Sequence, residues 1–210
     1  MTRPLQAVIW DMGGILYKTP FEMFDEVEPE FGLAVGTLPR GPFDRDGDAD
    51  YAKISSGELT EGEYFAIFMK EAERRGAPPD LLDRIDWSDG LRPEVMAAID
   101  RIAGAYLQAT LSNDSSRWLG DEWWLTWPHR NKFVSVIDVK SLGIRKPHPG
   151  TYLASAEAMG VDPVGCLFVD DMQKNVDGAE AVGMEGFYFD HTDVDGSLHR
   201  LFVRLGLPWP

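Results

Sequence analysis

The chain has 210 residues, of which 44% are hydrophobic, and it carries a formal net charge of −15 at pH 7. This length fits one ordinary domain, or a core domain with a small insertion, and the apolar content excludes a disordered chain. The acidic surplus argues against a nucleic-acid or membrane partner. No apolar run could span a bilayer, and the first ten residues lack the apolar stretch of a signal peptide, so we predict a cytoplasmic protein.

Five short β-like runs are visible, and outside residues 16–90 they alternate with segments of helical spacing. Strands that alternate with helices form a parallel sheet with helices on both faces. We therefore predict an α/β fold with a Rossmann-like parallel sheet core. The predicted strands are Ala7–Trp10, Tyr106–Leu111, Phe133–Ile137, Cys166–Val169 and Gly186–Phe189.

Three helices are predicted around this sheet from apolar residues that recur at helical spacing. One begins at Pro93, one ends at Gly160, and one runs from about Asn175 to Val182. The side chains expected to face the sheet are Met96, Ile99 and Ala103 in the first, Tyr152, Leu153, Ala156 and Met159 in the second, and Val176, Ala179 and Val182 in the third.

Residues 16–90 contain helical patterns but no convincing strand. Thr60-Glu61-Gly62-Glu63 matches a capping box, in which two side chains satisfy free backbone N–H groups of the first helical turn. We predict that this helical segment, residues 16–90, is inserted into an α/β domain formed by residues 1–15 and 91–210.

Polar side chains follow four of the predicted strands. Asp11 follows the first, Ser112-Asn113 the second and Asp170-Asp171 the fourth, while Lys146 lies in the loop after the third. Ligands of open parallel sheets bind at the carboxyl ends of the strands, so we expect these groups to converge there. Convergent carboxylates suit Mg²⁺, a hydroxyl and an ammonium suit a phosphoryl group, and one carboxylate could attack phosphorus to form an aspartyl-phosphate.

Four short motifs, in this order, resemble those of the haloacid dehalogenase-like (HAD) hydrolase superfamily. They are Asp11-Met12-Gly13-Gly14-Ile15-Leu16, Leu111-Ser112-Asn113, Lys146-Pro147, and Val169-Asp170-Asp171 with Asn175. The resemblance covers nearly the whole chain, because the superfamily places its helical cap where residues 16–90 are inserted.

The resemblance also implies a role for each residue. Asp11 would be the nucleophile, Ser112 the hydroxyl that contacts phosphate, and Lys146 the cation that steadies both. The implied Mg²⁺ ligands are Asp11, the main-chain carbonyl of Gly13, and the acidic pair, with Asp171 preferred over Asp170 as the direct ligand. The implied substrate-binding residues are Gly13, Gly14, Ser112, Asn113 and Lys146.

The chain departs from the superfamily's commonest pattern at Gly13, where most of its phosphatases carry a second Asp that protonates the leaving group. Sugar-phosphate phosphatases with a similar Asp-x-Gly-Gly opening also lack that Asp. Tyr17, Lys18 or a residue of the insertion could replace it, and the sequence does not select among them. Of the four histidines, we expect only His148 near the site.

Three functions remain open at this stage. The first is a Mg²⁺-dependent phosphatase of a small phosphorylated metabolite, possibly a sugar phosphate. The second is a 2-haloacid dehalogenase that uses the same nucleophile without a metal, and the third is a member that binds a phosphometabolite without turnover. The tryptophan-rich stretch from Trp118 to Trp127 permits a homodimer as well as a monomer.

Overall fold

The computed structural model describes residues 4–43, 47–113 and 115–209, with the side chains of residues 55, 61, 117 and 118 left out. The chain divides into two compact units, Met1–Tyr17 with Leu91–Pro210, and Lys18–Gly90. That residues 16–90 form a helical cap stays a prediction. Within the described residues, no helix combines the length and apolar character that crossing a membrane requires.

The first unit is built on a sheet of five strands, β1 (Ala7–Trp10), β2 (Leu107–Ser112), β3 (Ser135–Asp138), β4 (Cys166–Asp170) and β5 (Glu185–Tyr188). They lie in the order β3-β2-β1-β4-β5, with every neighbouring pair parallel. The predicted Rossmann-like α/β architecture is therefore confirmed. Four of the predicted strands differ from the observed ones by one or two residues at an end, because ladder pairing depends on the backbone and tolerates polar ends such as Ser112 and Asp138.

The central strand is apolar on both faces because helices cover both sides of the sheet. Val8 and Trp10 pack into one core with the helices Pro93–Ile102 and Val194–Leu205. Ala7 and Ile9 pack into a second core with the helices Pro149–Met159 and Gln173–Glu180. The helices are α1 (Pro20–Val27), α2 (Ala49–Ser56), α3 (Glu61–Arg74), α4 (Pro93–Ile102), α5 (Ser115–Leu119), α6 (Pro149–Met159), α7 (Gln173–Glu180) and α8 (Val194–Leu205).

Three side chains predicted to face the sheet do not do so fully. Ala103 is exposed because α4 ends one residue earlier. Leu153 is 46% exposed, since it lies one position around α6 from the buried face that carries Tyr152 and Ala156. Val182 is half-buried because α7 ends at Glu180 and the chain then turns.

The described part of the second unit contains three α-helices and an aromatic core. The predicted capping box is confirmed, since Thr60 accepts a hydrogen bond from the Glu63 N–H and the Glu63 carboxylate accepts one from the Thr60 N–H. Glu28 is fully buried and accepts hydrogen bonds from the backbone N–H groups of Gly36 and Leu38, which closes the loop between them. The rings that form the core of this unit are Phe21, Phe24, Phe43, Tyr64, Phe65, Phe68 and Trp87.

The tryptophan-rich stretch belongs partly to the first core. Trp123 and Trp127 are buried, and the Trp127 ring stacks on Phe133 with 5.4 Å between ring centroids. The side chain of Trp118 lies outside the described residues. The oligomeric state stays a prediction.

Candidate active site

Four of the predicted residues converge at the carboxyl edge of the sheet. Asp11 follows β1, Asp170 ends β4 and Asp171 follows it, and each offers a carboxylate oxygen within 4.8 Å of the others. Lys146 reaches the same place from the loop between β3 and α6. Ser112 ends the neighbouring strand β2, where its side chain is buried.

Lys146 is a buried cation held between two carboxylates. Its Nζ lies 2.8 Å from Asp11 Oδ1 and 2.8 Å from Asp170 Oδ2, and it is 5.4 Å from the centroid of the Phe168 ring. Burial alone would lower the pKa of Lys146, but the two carboxylates raise it above its usual range. The ammonium therefore stays charged at any physiological pH.

The two oxygens of Asp11 have different surroundings. Oδ1 accepts hydrogen bonds from the Met12 N–H at 2.7 Å and from Lys146 Nζ at 2.8 Å. Oδ2 accepts none from the residues that the structure describes, and the side chain remains 13% exposed. One oxygen is thus anchored while the other is left to react.

Asp170 and Asp171 differ in the same way. Asp170 accepts from the Met172 N–H, from Lys146 Nζ, and from Asn175 Nδ2 at both of its oxygens. Asp171 Oδ2 is buried and accepts no hydrogen bond from the described part of the chain. A buried carboxylate oxygen without a donor is costly, which makes Asp171 the better candidate for a metal ligand.

The cluster carries more negative charge than the protein neutralises. Three carboxylates against one ammonium leave two formal negative charges in a buried place. Burial and, to a smaller extent, Asp170 raise the pKa of Asp11 to about 8, although Lys146 acts in the opposite direction. Burial together with Asp170 and Asp11 also raises the pKa of Asp171. This donor set fits a hard divalent cation such as Mg²⁺, which would supply the missing charge and use carboxylate oxygens.

The two glycines after Asp11 are there for different reasons. Gly14 has a φ of +77°, and a Cβ built on it would lie 2.0 Å from Asp171 Oδ2. Gly13 is not among the residues with positive φ, and a Cβ on it would meet nothing within 4 Å. Gly14 therefore makes room for the Asp171 carboxylate, whereas Gly13 leaves open space beside the nucleophile.

Replacing Gly14→Ala should displace Asp171 and weaken Mg²⁺ binding. The added methyl carbon would lie 2.0 Å from Asp171 Oδ2, and alanine is strained at the positive φ of this position. We therefore expect the affinity for Mg²⁺ to fall by about tenfold or more. Isothermal titration with Mg²⁺ measures it. Gly13→Ala is the matched control and should weaken affinity far less. Equal losses in both variants would contradict the role assigned to Gly14.

The expectation that His148 alone among the histidines lies near the site is wrong. His148 is exposed, and its Nδ1 accepts from the Gly150 N–H at the start of α6. His191, which sequence reasoning missed, lies with its Nδ1 3.6 Å from Asp171 Oδ2. It follows β5, the neighbour of β4, so the strand-end argument extended to the fifth strand would have found it.

Two candidates for the missing acid have their own partners. The Tyr17 hydroxyl accepts a hydrogen bond from Trp127 Nε1 at 2.9 Å, and burial raises the pKa of Tyr17. Lys18 pairs with Glu26 in the second unit. Tyr17 keeps its hydroxyl proton over the physiological range, so it remains able to donate one.

The match to a family decides the class of the protein. The haloacid dehalogenase-like hydrolase family matches residues 5–183, a span that contains every site residue named above except His191. The chain belongs to the haloacid dehalogenase-like hydrolases. The predicted superfamily and hydrolase class are confirmed.

Three individual proteins that resemble this haloacid dehalogenase-like hydrolase share 15–25% of its sequence. Phosphatase MT3486 of Mycobacterium tuberculosis is 25% identical over 194 residues, which cover 90% of this chain and 88% of the relative. A solved dehalogenase in an intermediate complex has a TM-score of 0.60 at 15% identity, covering 99% of this chain and 100% of its own. An enzyme of Bacteroides thetaiotaomicron, solved with magnesium and inorganic phosphate, has a TM-score of 0.50 at 18% identity, covering 88% of this chain and 93% of its own. At these identities the two structures show the shared fold alone.

Proposed function

We propose that the protein is a Mg²⁺-dependent phosphatase that hydrolyses a small phosphorylated metabolite through an aspartyl-phosphate. The observation that carries the proposal is the asymmetry of Asp11, whose Oδ1 is anchored and whose Oδ2 is open, beside a buried cluster short of positive charge. A nucleophile needs a fixed orientation and an accessible lone pair, and Asp11 has both.

In the proposed reaction, Asp11 Oδ2 attacks phosphorus as the bond to the ester oxygen breaks. Water then attacks the aspartyl-phosphate, which releases inorganic phosphate and restores Asp11. Lys146 holds Asp11 in place, and the Ser112 hydroxyl donates to a phosphoryl oxygen. Asp11, the Gly13 carbonyl and Asp171 would hold Mg²⁺, which would neutralise charge on the phosphoryl group. Asp170 would orient Lys146 through their ion pair.

One relative favours the same reaction. The Mycobacterium tuberculosis relative, which is 25% identical and covers 90% of this chain, is named a phosphatase. The buried acids supply an independent argument from this chain. Dehalogenation needs no cation, and it would leave two negative charges in the cluster without compensation.

Gly13 narrows the proposed substrates. With no carboxylate at position 13 to protonate the departing oxygen, phosphates with good leaving groups should react best. Aryl, acyl and anomeric sugar phosphates belong to this class, whereas simple alkyl phosphates do not.

Removal of the metal separates phosphatase from dehalogenase. Hydrolysis of p-nitrophenyl phosphate should require Mg²⁺, cease in EDTA and return when Mg²⁺ is restored, because the cluster holds too much negative charge to receive a phosphoryl dianion alone. Chloride release from 2-chloropropionate, measured in parallel, should be absent. Chloride release that persists in EDTA, without phosphate release, would replace the proposal with the dehalogenase.

A further inference from the structure

The backbone of Lys146 lies in a loop, where no strand partner can hold it. It follows the short helical turn Val139–Ser141 and precedes α6, and it belongs to neither. Its ammonium nevertheless has to reach two carboxylates at 2.8 Å each. A lysine side chain has four rotatable bonds, so this placement depends on where its backbone starts.

The side chain of Asn113 forms a reciprocal pair with that backbone. The Lys146 N–H donates to Asn113 Oδ1 at 2.9 Å, and Asn113 Nδ2 donates to the Lys146 carbonyl at 3.2 Å. A carboxamide has the same donor and acceptor as a peptide group, so Asn113 takes the place of a neighbouring strand residue. We propose that Asn113 is a positioning residue, which fixes the Lys146 backbone so that its ammonium meets Asp11 and Asp170.

Asn113 is itself held on rigid structure. It directly follows Ser112 at the end of β2, which lies between β1 and β3 in the sheet. Beyond it, Asp138 at the end of β3 accepts from the Ser116 N–H at 2.9 Å and from the Ser116 hydroxyl at 2.8 Å. Asn113 therefore lies between two anchored points of the chain, the end of β2 and the Ser116 N–H, as a positioning residue requires.

This assignment differs from the substrate-binding role that the family resemblance implies for Asn113. The carbonyl oxygen and the amino group of its carboxamide both bond to Lys146. A residue that acts through Lys146 should affect the chemical step, because displacing a catalytic group by about 1 Å can cost about 10²-fold in rate. It should leave the affinity for phosphate nearly unchanged.

The test compares Asn113→Ala and Asn113→Asp with the wild type. Hydrogen exchange of the peptide that spans residues 142–149 should quicken in Asn113→Ala, because the Lys146 amide loses its acceptor. We call the two hydrogen bonds between the Asn113 side chain and the Lys146 backbone the clamp. Asn113→Asp keeps the size of the side chain and the acceptor for the Lys146 N–H, but it places a carboxylate oxygen against the Lys146 carbonyl. It therefore weakens the clamp without changing the packing of the core. Ser116→Ala is the control, since it removes one hydroxyl at the start of α5, keeps the Ser116 N–H bond to Asp138, and leaves Lys146 untouched.

The kinetic consequence rests on the proposed phosphatase function. With p-nitrophenyl phosphate, kcat should fall by about 10²-fold in both Asn113 variants, while the inhibition constant of inorganic phosphate changes less than about threefold. Ser116→Ala should keep the wild-type kcat. A tenfold weaker phosphate inhibition with unchanged kcat would overturn the proposal in favour of substrate binding.

The exchange measurement distinguishes failure of the clamp from failure of the proposed function. If the wild type hydrolyses no phosphate, the phosphatase proposal fails, but faster exchange of residues 142–149 in Asn113→Ala still supports the clamp. Unchanged exchange in that variant overturns the clamp whatever the enzyme does.

Discussion

Asp11→Asn is expected to lower kcat for p-nitrophenyl phosphate by about 10⁴-fold or more, because the amide cannot attack phosphorus. The substitution should not disturb the fold. The Asn oxygen can accept the same two hydrogen bonds that Oδ1 accepts, from the Met12 N–H and Lys146 Nζ. Steady-state hydrolysis with saturating Mg²⁺ measures the effect.

Two controls accompany this variant. Asp195→Asn removes an exposed carboxylate in the first turn of α8 and should retain the wild-type rate. The melting temperature of Asp11→Asn should stay within a few degrees of the wild type, since the variant removes a buried charge and keeps its hydrogen bonds. Metal-dependent turnover that survives Asp11→Asn at a tenth of the wild-type rate would show that another group attacks phosphorus.

Gly13→Asp is expected to raise kcat/KM for an alkyl phosphate by about 10²-fold. The kcat/KM for p-nitrophenyl phosphate should change little. The new carboxyl would stand beside the nucleophile and could protonate the departing alkoxide, a contribution of about 10²–10⁴-fold in general acid catalysis. The backbone accepts the change, because Gly13 is not at positive φ and its side-chain direction is open for 4 Å. An aryl oxide needs no such proton, so its rate should respond far less.

The ratio of kcat/KM between glycerol 2-phosphate and p-nitrophenyl phosphate is the quantity to measure. Gly13→Asn is the matched control, because Asn has the same size as Asp but no acidic proton. In this variant the ratio should equal that of the wild type. If Gly13→Asn raises the ratio as much as Gly13→Asp, the gain comes from packing. If wild-type rates on the two substrates are already equal, the enzyme has another acid, and Tyr17 becomes the first residue to replace.

Most of the fold could be predicted from local patterns. Buried parallel strands are apolar on both faces, so their runs are visible in the sequence, and β1 was predicted at its observed bounds. The errors lie at element ends. Leu153 and Ala103 were assigned to buried faces because spacing indicates the period of a helix but neither its last residue nor the exact rotation of its face.

The candidate site could be predicted as a set of residues but not as a set of contacts. Asp11, Lys146, Asp170 and Asp171 were found because strand ends and loops of a parallel sheet meet at one edge, which chain order alone reveals. His191 was missed because the strand-end argument was not extended to the residues after the fifth predicted strand, which ends at the same edge of the sheet.

Residue type and order alone predicted an α/β domain with convergent acids, and the hydrolase class followed from the resemblance of its four motifs to a known superfamily. Only the tertiary structure distinguished otherwise identical groups. It showed that one oxygen of Asp11 is anchored by hydrogen bonds. Both oxygens of Asp170 accept hydrogen bonds, whereas Asp171 Oδ2 accepts none from the described residues. The absence of a side chain at Gly14 leaves room for the Asp171 carboxylate. It also paired Asn113 with the backbone of Lys146, 33 residues away. Such distinctions depend on which donors surround each oxygen in space, and donors brought from distant segments leave no mark in the local sequence.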